Sequence, residues 1–332
     1  MKHQTGMALA LFAAVFFASP SSADGDYGAP VACTPGKDCF LQQMADMDPD
    51  LKKAADPFCG SATYEGHTGL DIRLMSMADI TRDVAVLAMA DGVVKAVRDG
   101  EDDNVDPARN PLPPGKGKEC GNGVVLAHGQ GRETQYCHMR KGSVAVAPGQ
   151  TVRRGDRIGS VGASGAAEFP HLHAELRLFG VSVDLMTGRN VMVGCAGEPD
   201  KVRALLDPDF SAALGDGDAT VIAAGIAGSP VDHEKLGRLG PPPEADSSAD
   251  ALVGWVWALN LRQGDRVRLR LEGPAGGVIA DVTGEPLDRN KASYSAFAGK
   301  RGNPAQGPHR LLVQVLRGET VLREHVTETR LH

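Results

Sequence analysis

Between positions 171 and 178 the chain reads His171-Leu172-His173-Ala174-Glu175-Leu176-Arg177-Leu178, an unbroken alternation of polar and apolar residues. Successive side chains of a strand point to opposite faces. His171, His173, Glu175 and Arg177 therefore share one face, and Leu172, Ala174, Leu176 and Leu178 share the other, which reads as core. Two imidazoles two residues apart project from one sheet face into one space. The neighbouring text is also strand and turn: residues 84–97 read as short strands around Asp91-Gly92, and residues 122–128 and 134–139 as a hairpin joined by Gly129-Gln130-Gly131. Residues 149–162 are turn-rich. Forty-one glycines and four tyrosines in 332 residues fit many turns better than long helices. The expected fold class is mainly β.

Composition divides the chain further. Residues 24–56 read as an N-terminal leader with a helical-looking run at 39–47. Residues 57–198 read as an antiparallel β-sheet domain, interrupted by an acidic, Pro-rich surface loop at 99–117. A helix-like piece at 201–206 lies in a linker over 199–217. Residues 218–332 read as a small β-sandwich accessory domain, because Val267, Leu269 and Leu271 alternate with Arg266, Arg268 and Arg270, and Arg317-Gly318-Glu319 separates two more alternating segments. No catalytic constellation stands out in that half.

The first 23 residues have the layout of a secretory signal peptide: Lys2 and His3, an apolar run over 7–18, then Ser21-Ser22-Ala23 before Asp24. Cleavage is expected after Ala23, with a destination in the periplasm or outside the cell and no membrane anchor afterwards. Six cysteines follow, none spaced C-x-x-C, which in an oxidising compartment reads as disulfides. Cys120 and Cys137 flank the hairpin and are expected to pair; Cys59 with Cys195 would tie the ends of the β-sheet domain, leaving Cys33 with Cys39. A net charge of −7 argues against a nucleic-acid partner.

Five of the ten histidines fall between positions 67 and 173. The patterned ones are His67-Thr68-Gly69-Leu70-Asp71, Tyr136-Cys137-His138-Met139 and His171-Leu172-His173. Catalytic zinc takes three N/O ligands and leaves one position open; two of these imidazoles and the Asp71 carboxylate meet that need. His138 reaches the same space from a neighbouring strand, with Cys137 expected to point the other way, and histidines beyond the ligand set can handle protons. His128 ends a strand at a turn and reads as solvent-exposed. The chain continues Ala174-Glu175-Leu176 after its H-x-H, which excludes a metallo-β-lactamase pattern, and the β/α units of an amidohydrolase barrel do not follow.

The stretch 64–177 resembles the lysostaphin/LytM family of zinc peptidases, on Gly66-His67-x-Gly69-x-Asp71-Ile72, Asp91-Gly92-Val93-Val94, Gly123-Val124-Val125-Leu126, Tyr136-x-His138-Met139, Gly149-Gln150-x-Val152-x-x-Gly155-Asp156-x-Ile158-Gly159 and Pro170-His171-Leu172-His173-x-Glu175. The resemblance implies a duplicated-hybrid-motif β fold, Zn2+ on His67, Asp71 and His173, and assistance from His138 and His171. It implies a secreted endopeptidase acting on peptidoglycan stem peptides, with the D-alanyl cross-bridge as the expected target and Gly162, Ala163, Ser164 and Gly165 lining the approach. Degenerate relatives act as non-catalytic wall-binding regulators of other hydrolases; that alternative expects missing ligands, and none is missing here. An activator partner and a target in a competing microbe's wall stay open, although the second usually comes with a basic wall-binding module.

Overall fold

The computed structural model describes residues 26–106, 115–197 and 203–332. The signal-peptide reading at 1–23 lies outside the described residues, as does part of the surface loop. In the first half, the strands in chain order are β1 (Cys39–Gln43), β2 (Leu70–Leu74), β3 (Ala85–Leu87), β4 (Gly92–Arg98) and β5 (Asn122–Ala127). They continue with β6 (Arg132–Met139), β7 (Thr151–Val152), β8 (Arg157–Ser160), β9 (His171–Leu178) and β10 (Val181–Val183). Eight of these form one antiparallel sheet, ordered β1-β2-β9-β6-β5-β4-β7, with β10 paired to β9. β3 pairs with β8 in a separate ribbon.

One face of this sheet carries the first core. Leu70, Ile72 and Leu74 of β2, Leu172, Ala174 and Leu176 of β9, and Tyr136 of β6 are all buried in it. The opposite face of β2 and β9 therefore presents Asp71 and Arg73 opposite His173 and His171 in the ladder. The expected strand at 171–178 and the hairpin formed by β5 and β6 are both present.

The second half contributes α1 (Pro208–Leu214), β11 (Thr220–Ala227), α2 (His233–Leu239), β12 (Ala251–Leu261), β13 (Asp265–Glu272) and β14 (Val278–Thr283). It ends with β15 (Lys291–Arg301), β16 (Gly307–Arg317) and β17 (Thr320–Leu331). Sheets β11-β12-β15 and β14-β13-β16-β17 enclose a core that includes Leu252, Val256, Val267, Leu269, Leu271, Leu311 and Val313. β12 is buried along its whole length. Its other face, Val253, Trp255, Trp257 and Leu259, packs with Leu236 of α2 and with Phe40 of β1. The second half thus docks on the same face of the first sheet that carries Asp71 and the histidines.

Two local expectations are corrected. The helical-looking run at 39–47 is instead β1 over Cys39–Gln43, the edge strand beside β2, followed by irregular backbone. Its apolar residues serve both faces, Cys39 and Leu41 in the first core and Phe40 in the inter-sheet cluster, and a short run apolar on both sides carries no period to read. Residues 203–206 are not helical; the helix begins at Pro208, where Asp207 caps it by accepting from the Phe210 amide at 3.0 Å. Its Phe210 and Leu214 belong to the first core, within the stretch composition marks as linker.

All three expected disulfides are present: Cys33–Cys39, Cys59–Cys195 and Cys120–Cys137. Among the described residues no helix is long and apolar enough to cross a membrane.

Candidate metal centre and active site

Neighbouring strands supply two of the three candidate ligands as a direct cross-strand pair, Asp71 on β2 and His173 on β9. Asp71 Oδ1 lies 2.8 Å from His173 Nδ1. His67, from the turn before β2, places Nε2 3.1 Å from both Asp71 Oδ1 and His173 Nδ1. The three donors form one cluster that can hold a metal ion. Zinc bonds of about 2.0–2.1 Å at tetrahedral angles would separate neighbouring donors by roughly 3.3 Å, so the spacing and the N, N, O chemistry both fit.

The segment before β2 orients His67. Its Nδ1–H donates to the Met44 carbonyl at 2.7 Å, which leaves the Nε2 lone pair facing the cluster. Buried Asp46 accepts the Gly66 amide at 3.0 Å and its own amide donates to the His67 carbonyl at 2.7 Å. Residues read as a leader are therefore part of the site's frame. Gly69 explains its place in the motif: a Cβ there would sit 2.7 Å from ring atoms of His173 and 2.6 Å from the Ala174 carbonyl oxygen.

His138 arrives by a different route from the one alternation suggests. In the β6–β9 ladder it is Cys137 that stands opposite His173, so Cys137 is on the site side rather than pointing away. His138 has φ 61°, and this left-handed residue breaks the alternation and turns its ring inward. Its Nδ1–H donates to the Ser164 carbonyl at 2.8 Å, and its amide to the Cys120 carbonyl at 2.8 Å, beside the Cys120–Cys137 bridge. His171 likewise donates Nδ1–H to the Phe169 carbonyl at 2.9 Å. The His138 and His171 rings are 4.4 Å apart, centre to centre, and His171 Nε2 is 3.8 Å from Asp71 Oδ1.

Electrostatics separate the groups. Burial opposes the charge of Asp71, but His67, His171 and its hydrogen bonds outweigh that and hold the carboxyl well below the usual range. Burial also opposes charge on His67, where the Asp71 carboxylate prevails and raises the pKa. His138 is pushed well below the ordinary histidine value by burial and then by His171 and His173. Burial lowers His171 too, against Asp71. Near neutral pH both rings are thus neutral, with Nδ1–H engaged and Nε2 able to accept a proton.

A cleft of about 270 Å³ opens over these residues, lined by Tyr64, Asp71, His138 and His171 with Glu168, Phe169 and, from β15, Ala292. The expected lining by Gly162, Ala163, Ser164 and Gly165 is not what forms it: Ala163 and Ser164 are fully buried, and Ser164 acts through its carbonyl on His138. The carbonyls of Met44, Ser164 and Phe169 leave no side-chain signature, so sequence reasoning could not find them. His128 is half-buried rather than free in solvent, held by the Asp91 carbonyl and the Thr134 hydroxyl.

An antiparallel sheet that gathers two imidazoles and a carboxylate under a cleft, with two neutral imidazoles beside them, is the arrangement of a metallopeptidase. Residues 65–185 match Peptidase family M23, and the chain carries a domain of that family. The peptidoglycan DD-endopeptidase ShyA of Vibrio cholerae is 46% identical over 67 residues, 20% of this chain and 15% of that protein. The DD-carboxypeptidase/endopeptidase Mpg of Neisseria meningitidis is 32% identical over 124 residues, 37% of this chain and 22% of that protein. The matched segments thus span less than a quarter of either relative. A zinc-containing peptidase from Vibrio cholerae aligns in structure at 24% identity and a TM-score of 0.30, covering 49% of this chain and 39% of the other.

Proposed function

We propose that this chain is an exported zinc endopeptidase that hydrolyses the D-alanyl cross-bridge between peptidoglycan stem peptides. The observation that carries the reading is the complete constellation: a compact His67–Asp71–His173 donor cluster beside two neutral, carbonyl-anchored imidazoles. The two relatives named as DD-endopeptidases support the substrate class, and three disulfides fit an oxidising compartment.

His67 Nε2, Asp71 Oδ1 and His173 Nδ1 would hold the ion. When bound, zinc supplies Lewis-acid polarisation of the scissile carbonyl and lowers the pKa of a bound water. The protein's residues do the rest. The cleft lies over the face of the sheet that carries His171, where an extended peptide can lie across the strands. Nε2 of His138 or His171 takes the proton of the attacking water, and that proton then reaches the departing amine as the C–N bond breaks. While it holds that proton, the same Nε2–H can donate to the oxyanion before passing the proton to the amine. Removing metal with a chelator and restoring it with zinc tests the reading on a synthetic D-alanyl peptide: activity should vanish and return, and activity indifferent to the chelator would refute it.

A further inference from the structure

Arg73 sits two residue pairs along the β2–β9 ladder from the metal cluster, opposite His171 and on the same face as Asp71. Its side chain is buried, and among the described residues each hydrogen bond it makes goes to a neutral oxygen: the Leu74 carbonyl at 3.1 Å, the Met75 carbonyl at 3.0 Å and Gln42 Oε1 at 2.8 Å. A buried cation held this way is a poor device for stability, since an apolar side chain of similar length would avoid its desolvation. Its position suggests another purpose. The guanidinium carbon lies 4.8 Å from the ring centre of Phe169 and 5.1 Å from that of Trp257 on β12. Phe169 touches His171 twice, by its carbonyl on Nδ1–H and by its ring, 4.6 Å from the imidazole.

A continuous path therefore runs from the sandwich of the second half through Arg73 to a site histidine. Gln42 fixes its geometry: beyond Arg73, it donates to the Ala292 carbonyl at 2.9 Å and accepts from Asn260 at 3.0 Å. The planar guanidinium can face both rings while its N–H groups bond in plane, which an ammonium cannot reproduce.

We propose that Arg73 is a positioning residue, clamped by Trp257, which holds Phe169 and through it the His171 ring in the orientation used for catalysis. The sandwich of the second half is then part of the catalytic apparatus. This rests on the role assigned to His171 above.

The test uses the zinc-loaded full chain with Arg73→Met, Arg73→Lys, Trp257→Leu and the Arg73→Met/Trp257→Leu pair. Three quantities are read: zinc content, kcat and KM on dimeric muropeptides, and the His171 tautomer from long-range nitrogen–proton NMR. Arg73→Met should keep zinc and KM but lower kcat by roughly ten- to a hundredfold, the scale of a small misplacement of a reacting group. Arg73→Lys should recover part of that loss. Trp257→Leu should lower kcat in the same way, and the pair should be no worse than the poorer single variant. The His171 ring should pass from one Nδ1–H tautomer to a mixture. Wild-type kcat in Arg73→Met, additive losses in the pair, an unchanged tautomer, or zinc loss in both Arg73 variants would overturn the proposal. Should Arg73→Met not fold, the Lys and Trp257→Leu variants decide it by the same readouts. A wild-type chain that cleaves no dimer while the variants still shift the His171 tautomer would sink the substrate reading and leave the positioning role standing.

Discussion

Asp71 and His173 face one another across the β2–β9 ladder, and Asp71 Oδ1 approaches His173 Nδ1 to 2.8 Å. Because the contact is set by strand register, one-residue slippage of either strand would move its own member of the pair to the core face. The register is held by Leu70, Ile72, Leu172 and Ala174, which fill the core from the other side. Position 67 joins through a turn anchored on Met44 and Asp46. Replacing His67, Asp71 or His173 by Ala should therefore abolish both zinc binding and turnover. Replacing His138 or His171 should leave zinc bound while kcat falls by roughly two to four decades. Metal analysis of the five purified variants separates the classes, and a folded His138→Ala chain without zinc would break the assignment.

Gly69 leaves no room for a side chain against the His173 ring. Gly69→Ala should push that imidazole out of the cluster and weaken zinc affinity at least tenfold, the low end of what disturbing a ligand's supporting contacts costs, with the sheet intact. Zinc titration beside circular dichroism checks this. Unchanged affinity would mean that the ring has slack to move.

Asp184 provides a pH signature away from the site. Burial raises its carboxyl to about 6, despite the hydrogen bond from Thr187 and the backbone amides of Met186 and Thr187. The unfolded carboxyl titrates at about 3.9. Between those values the native state holds a proton that the unfolded state has released, so this group's contribution falls as pH rises from about 4 to about 6 and is level above. Asp184→Asn has no such titration. Relative to the wild type, its unfolding free energy should thus rise across that window, by an amount on the order of 2–3 kcal/mol. Urea unfolding of both chains at several pH values measures it; parallel curves would contradict it.

The site was legible in the sequence where one face of a strand is buried and the other is not. β9 declared itself through period two, and the three motifs named every side chain of the cluster. Cys137 was misread because alternation assumes an unbroken strand, and the φ of His138, which does reach the site, breaks it. β12 gave no such signal, since it is buried on both faces by the sandwich core and by Phe40, and such strands read as continuous apolar runs. For the same reason β1 passed for helix. Arg73 could not be recognised at all, because its partners Phe169 and Trp257 come from distant segments.

The division of the chain is proposed to fall after α1 rather than before it, because Phe210 and Leu214 complete the first core. A chain ending at residue 217 should be more stable than one ending at 200 by about 4–9 kcal/mol, the burial of the three large apolar side chains Leu206, Phe210 and Leu214. Both should show lower kcat than the full chain, since Trp257 is gone. Denaturant midpoints of the two chains decide the first point; equal midpoints would place Phe210 and Leu214 outside the cooperative unit.

The most direct measurement is a digest of purified dimeric, D-alanyl cross-linked muropeptides by the zinc-loaded chain, read by mass spectrometry with and without chelator. The constellation of His67, Asp71, His173, His138 and His171 should convert dimers to monomers, with no cut in the glycan and none at all once zinc is removed. Intact dimers after incubation with folded, zinc-loaded protein would contradict the account and return the chain to the class of non-catalytic wall-binding regulators.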